Sequence, residues 1–156
     1  GCYSRPEIGN HILIGSEDPE CDERIFVDPD NWDDNFSDQW NTQVLRQAQR
    51  YPNLPISSKV KGVVSLYDVS DDWIPIYDKS DLSGFYMAIG TSGNQYKNAP
   101  VAGVLMSELI EYCENGNDHD KTPLSVNLKH INTNISLAFY SRNRKINKES
   151  SMSVLG

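Results

Sequence analysis

The chain has 156 residues, of which 38% are hydrophobic and 23% charged, enough to build one domain with a real core. Fourteen basic against 22 acidic side chains give a formal charge of −8, and the basic cluster is confined to Arg142, Arg144 and Lys145. This balance argues against the basic face of a nucleic-acid module and reads as solubility, and no apolar run approaches the roughly 20 residues of a membrane span.

Cys2–Arg5 and His11–Ile14 read as short strands, with a turn over 6–10 in which Gly9-Asn10 is a favourable pair. Residues 15–35 are polar and read as a long loop. Phe36, Trp40, Val44, Ala48 and Tyr51 form one helical stripe, with N-cap candidates at Asp33, Asp34 and Asn35 and a stop at Pro52. Residues 60–69 read as a strand, and Ile74-Pro75-Ile76 as a short extended piece. Gly84–Ile89 is nearly continuous in apolar residues, which suits a strand buried on both faces. Val101, Val104, Leu105, Leu109 and Tyr112 share a second helical face, with Pro100 in its first turn and Gly116 at its end. Residues 114–123 read as a polar loop, and Ile135–Tyr140 is the one apolar patch of the tail.

The expected fold is α+β: a mixed, mostly antiparallel sheet with two main helices. An exposed sheet edge is expected to pair with a second copy, giving a homodimer. Cys2, Cys21 and Cys113 are odd in number and lack metal-type spacing, which favours a reducing, cytoplasmic setting without a metal site. The Asn-x-Ser sequons at Asn35 and Asn134 read as chance matches. His11, His119 and His130 read as surface or capping histidines, and Asp118-His119-Asp120 as a polar loop rather than a ligand set. The chain begins at Gly1 with no Met, so a segment upstream is expected.

The segment with most chemical potential runs from the apolar strand through Gly90-Thr91-Ser92-Gly93-Asn94-Gln95-Tyr96-Lys97 into the helix. Glycines allow close backbone approach, the helix start offers free N–H groups, and Ser92, Asn94, Gln95 and Lys97 add donors. A glycine-bearing turn without any ligand fits the same spacing. A nucleophile elbow is excluded because no glycine stands two places after Ser92. The phosphate-loop pattern is absent, as is any Gly-x-Gly pair.

Tyr67, Asp68, Asp72, Pro75 and Ile76, followed by Gly84, Tyr86, Ala88, Gly90, Ser92, Gly93, Tyr96, Lys97, Ala99 and Pro100, resemble two consecutive motifs of the D-amino-acid oxidase-like superfamily. The sarcosine oxidase and dimethylglycine dehydrogenase branch is the nearest in pattern. Tyr3, Arg5, Pro6, Glu7, Leu13 and Gly15 resemble its substrate-domain strands, and Phe139–Asn147 its C-terminal end.

The resemblance implies a substrate-domain portion over 1–80 and an FAD-domain portion with tail over 81–156, the N-terminal Rossmann half being absent. It implies FAD as cofactor of the complete protein, held only weakly by this fragment, which is expected to be inactive alone. The implied reaction is oxidation of the C–N bond of a small amine or amino acid by hydride transfer to flavin. Gly90, Ser92, Gly93, Asn94 and Gln95 would meet the cofactor, Lys97 the substrate carboxylate, and Tyr67 the substrate pocket. Asn94 and Gln95 stand where the family pattern has His and Gly. That departure keeps open a non-catalytic ligand-binding or carboxylate-binding module on the same fold, or a small-anion domain using the turn alone.

Overall fold

The computed structural model describes residues 2–16, 25–56 and 61–150. The chain divides into two compact units, residues 1–66 and 67–156.

In the first unit, β1 (Cys2–Glu7) pairs antiparallel with β2 (His11–Ser16), in a register running from Cys2 opposite Ser16 to Glu7 opposite His11. The hairpin turns through Ile8, Gly9 and Asn10, as the turn pair predicts. Gly15 faces Tyr3, whose ring occupies the space a side chain would need: a Cβ on Gly15 would lie 2.2 Å from the ring. Helix α1 (Asp38–Ala48) follows the expected stripe, with Val44 and Ala48 buried and Phe36 stacked on Trp40 at 4.2 Å between ring centroids. Its N-cap is Ser37, not Asp33, Asp34 or Asn35. The Ser37 hydroxyl accepts the Trp40 N–H at 3.0 Å, whereas Asp33 turns back on Asn35. Polar side chains tie helix to hairpin: Gln47 donates to Ser4 Oγ at 3.1 Å, and Ser16 donates to Gln43 Oε1 at 2.6 Å.

Two expectations in the middle of the chain are corrected. Residues 61–69 form no strand, and Val63 is 88% exposed; position 60 lies outside the described residues. Apolar composition there met no ladder partner among the described residues, and the backbone carbonyl of Asp68 instead accepts the N–H of Ser92. The apolar run at 84–89 forms β4 (Tyr86–Ile89), paired, among the described residues, with β3 (Ile76–Lys79) alone. Tyr86 packs on the core, while Phe85 and Ile89 stay about half exposed, so this strand is not buried on both faces.

Helix α2 (Ala99–Glu114) carries Pro100 in its first turn and buries Leu105 and Leu109 completely; Val101 and Val104, expected on the same face, remain partly exposed. Gly116 closes it, donating to Cys113 O. A third antiparallel hairpin, β5 (Ser125–Leu128) with β6 (Thr133–Ser136), precedes a 3₁₀ turn at Leu137–Tyr140. Leu105, Leu109 and Leu137 meet Tyr77 and Val126 in one core. The class is α+β with two helices as expected. The single mixed sheet is replaced, among the described residues, by three separate two-stranded antiparallel ones.

What locks the second unit is electrostatic. Asp72 is fully buried and grips Arg144 with both oxygens, at 3.0 Å to Nε and 2.6 Å to Nη2. It also accepts the N–H groups of Ile74 and Asn147. Asp78, equally buried, accepts the backbone N–H of Arg142 at 2.8 Å, its guanidinium at 3.2 Å, and the Ser141 hydroxyl at 3.0 Å. Arg142 also reaches Asp81 and Asp120, and Lys79 reaches Asp120 at 2.7 Å. The tail segment 141–147 is thereby fastened to the stretch 72–78.

His119 is not a surface histidine. It is 1% exposed, and its Nδ1 accepts the N–H of Leu124 at 3.1 Å, so it does cap a loop backbone. That bond leaves the ring proton on Nε2, which lies 3.8 Å from Asp78 Oδ1 and makes no hydrogen bond. Burial, offset in part by Asp78 and Asp120, holds its pKa below the ordinary value.

Two predictions follow from this network. Arg144→Met should destabilise the second unit by about 3–5 kcal/mol, because it strands a buried carboxylate, and Asp72→Leu added to it should restore part of that loss; urea unfolding measures both. The depressed His119 pKa means that the unfolded chain binds the proton first, so stability is complete above pH of about 6.5 and falls as the pH is lowered through that range. Asp72, held low mainly by its Arg144 bond, loses stability only below pH of about 4. The urea midpoint should therefore drop between pH 7.5 and 5.5, and His119→Gln should flatten that limb without moving the more acidic one.

Candidate functional site

The turn expected to carry chemistry is built by Asp68. Its Oδ2 accepts the N–H groups of Gly90 at 2.9 Å and Thr91 at 3.0 Å, and its Oδ1 accepts the Thr91 hydroxyl. Partial burial pushes this carboxyl up, but the Thr91 and Gly90 hydrogen bonds outweigh that and hold it below its usual value. The Asp68 backbone carbonyl takes the Ser92 N–H at 3.1 Å. Ser92 is fully buried and its hydroxyl donates to Gly90 O at 3.2 Å, so its side chain braces the turn from inside.

Gly93 requires glycine twice over. Its φ is +76°, in the left-handed region, and a Cβ would meet the Tyr67 ring at 2.8 Å. Tyr67 thus lies on the glycine with 53% of its surface still open. The Gly93 N–H meets no acceptor among the described residues, whereas the Asn94 N–H is taken by Thr91 O. Residues 96–98 form a 3₁₀ turn and α2 proper begins at Ala99, so Gly93–Gln95 precede the helix rather than forming its first turn. Tyr96 is almost wholly exposed. Lys97 is exposed as well, with no ion pair to any described residue.

The side chain of Gln95 looks inward. Its Oε1 accepts from Tyr77 Oη at 3.2 Å and from Asn98 Nδ2 at 3.0 Å, while its Nε2 donates to Asn94 Oδ1 at 2.8 Å. Gly90, Ser92, Gly93, Asn94, Gln95 and Tyr67 are thus one assembly, and Lys97 lies in the 3₁₀ turn that follows it. Sequence reasoning assigned no role to Asp68, which holds the turn, or to Tyr77, whose partner is 18 residues away. Neither has a neighbour in sequence that signals it.

Gly93 N–H, the Asn94 amide nitrogen and the Lys97 ammonium offer donors, while Gln95 Oε1 accepts two bonds and Asp68 three. This fits an electron-rich ligand edge such as the N1–C2=O side of a flavin. Among the described residues no group of three or more His, Cys, Asp or Glu is arranged to hold a metal, and no helix is long and apolar enough to cross a membrane.

The chain matches the FAD dependent oxidoreductase family over residues 1–109, and it belongs to that family, whose cofactor is FAD. No curated protein and no solved structure matches it.

Gly93→Ala should cost more than Gly116→Ala, which has a similar positive φ but open space around it. Left-handed strain alone is worth about 1–2 kcal/mol at either position. The excess at Gly93 should vanish in a Tyr67→Ala background, as a double-mutant cycle of thermal unfolding would read.

Proposed function

We propose that the chain is the C-terminal part of an FAD-dependent oxidoreductase that oxidises the C–N bond of a small amine or amino acid, of the sarcosine oxidase and dimethylglycine dehydrogenase branch. Residues 1–80 then belong to a substrate-binding domain and 81–156 to an FAD-binding domain with its tail, the glycine-rich βαβ half lying upstream. The observation that carries this reading is the open Gly93 N–H and Asn94 amide nitrogen of the 90–97 turn within a chain of this family.

Bound FAD supplies the hydride acceptor. The residues of this chain do the rest. Gly93 and Asn94 oppose the edge where negative charge builds on reduction, as donors in an oxyanion hole do. The Asp68 bonds fix that face beforehand, so little reorganisation is needed. Lys97 meets the substrate carboxylate as a mobile point charge, and the open side of the Tyr67 ring lines the substrate pocket. Without the βαβ half most adenine and pyrophosphate contacts are missing, so the chain alone binds FAD weakly and is inactive. A cytoplasmic setting suits Cys2 and Cys113, which are free thiols. Unpaired hairpin edges suit association with a second copy, which light scattering would detect.

A second reading has its own observation. Asn94 and Gln95 replace the His-Gly of the family pattern, and Asn94 cannot serve as a base near neutral pH. A flavin-binding module without turnover would fit that change.

The test is expression with the upstream half. A yellow protein whose absorption band bleaches anaerobically with an N-methyl amino acid supports the enzyme; a yellow protein that never bleaches supports the module. A folded but colourless protein sinks both. In the enzyme, Lys97→Ala should raise the substrate KM about tenfold or more with a smaller change in kcat, the scale of one hydrogen bond to a charged group (about 1.5–3 kcal/mol).

A further inference from the structure

We infer that the Asn94 side-chain amide is the specificity-determining donor of the turn, and that Tyr77 and Gln95 are positioning residues that fix which way it points. The inference rests on the flavin reading above but assigns roles to side chains which that reading leaves open.

Tyr77 is buried against Leu105, Leu109 and Leu137, with its ring 5.0 Å from Tyr140. Burial raises the pKa of its hydroxyl, so it keeps its proton and donates to Gln95 Oε1. Asn98 Nδ2 fills the second lone pair of the same oxygen. With its carbonyl fixed by two donors, Gln95 has only its NH₂ to offer Asn94, and Asn94 must answer with its oxygen. The Asn94 nitrogen is then turned away from the chain and meets no acceptor among the described residues. A free asparagine amide presents either end to a ligand; this one presents only N–H.

The consequence is a ligand rule. A group seated beside Asn94 must accept, as the C2=O oxygen and N1 of a flavin do, and a ligand offering a donor there is rejected because the oxygen cannot rotate out without breaking the chain back to Tyr77. Gln95 therefore supports the turn from behind instead of touching the cofactor with its side chain. The inward oxygen and outward nitrogen of Asn94 add a directed side-chain donor beside the Gly93 N–H, since the Asn94 backbone N–H is spent on Thr91 O and Lys97 is unconstrained.

The test uses the complete flavoprotein and reads the midpoint potential of the bound FAD, with circular dichroism to confirm folding. Asn94→Asp replaces the donor by a carboxylate and should shift the potential to more negative values; Asn94→Leu, which removes the donor without adding charge, should shift it less in the same direction. Gln95→Glu is the decisive variant. Its carboxylate still accepts from Tyr77 and Asn98 but has no proton for Asn94, so the Asn94 amide turns over and the potential should fall although Asn94 itself is unchanged. Tyr77→Phe should give a smaller fall. If Asn94→Asp does not fold, Asn94→Leu and Gln95→Glu carry the same reading. A yellow protein in which both Asn94 variants keep the wild-type potential overturns the inference while leaving the flavin reading intact. A shift in the Asn94 variants with none in Gln95→Glu overturns the positioning roles of Gln95 and Tyr77. A colourless complete protein overturns the flavin reading and this inference with it.

Discussion

The second unit depends on the bidentate pair between Asp72 and Arg144. Two opposite charges are removed from water, a costly step that only close geometry and further hydrogen bonds can offset. Both conditions hold: the carboxylate also takes two backbone N–H groups, and the guanidinium also reaches Ile74 O and Ser141 O. With the tail anchored at Arg144, its neighbour Arg142 is delivered to Asp78, and Asp78 in turn lies within β3 next to Tyr77, which belongs to the core. The stretch that follows Tyr67 and Asp68 is therefore held at its far end by charge and at its near end by the turn.

That arrangement explains how a modest core supports a well-defined turn. Five buried apolar side chains form the centre of the second unit. Hydrophobic packing is non-directional and would tolerate small shifts of the 90–97 segment. Hydrogen bonds from Asp68 and through Gln95 are directional, and they set the orientation of individual N–H groups. The packing thus supplies cohesion and the polar bonds supply aim.

The sequence made some of this legible and hid the rest for physical reasons. Local signals read well. Gly9-Asn10 marked a hairpin, the 36–51 stripe marked α1, and Pro100 with Gly116 bracketed α2. Each depends on residues within a turn or two of one another. Non-local pairing read poorly. The valines at 63 and 64 carry strand propensity but have no ladder partner among the described residues. The apolar run at 84–89 looked buried on both faces because the sequence does not say that β4 has one neighbour. His119 looked like loop polarity because its burial depends on Asp78 and Leu124 rather than on the aspartates beside it. At the turn itself, the glycine and serine pattern was visible, whereas the Asp68 anchor and the Tyr77–Gln95–Asn94 chain become visible only once separations of roughly 20 residues are closed in space.

The tail that completes the electrostatic lock also orders events in time. Asp72 and Asp78 are synthesised well before their partners at 144 and 142, from which they are separated by 72 and 64 positions in the chain. Until those arginines leave the ribosome, two carboxylates cannot enter a dry interior without a counter-charge, and the segment bearing them stays solvated. The second unit is thus built to close late and from its C-terminal end. A nascent chain arrested before Ser141 would hold its helix and hairpins without the clasp that aligns them, and would be a natural target for quality control.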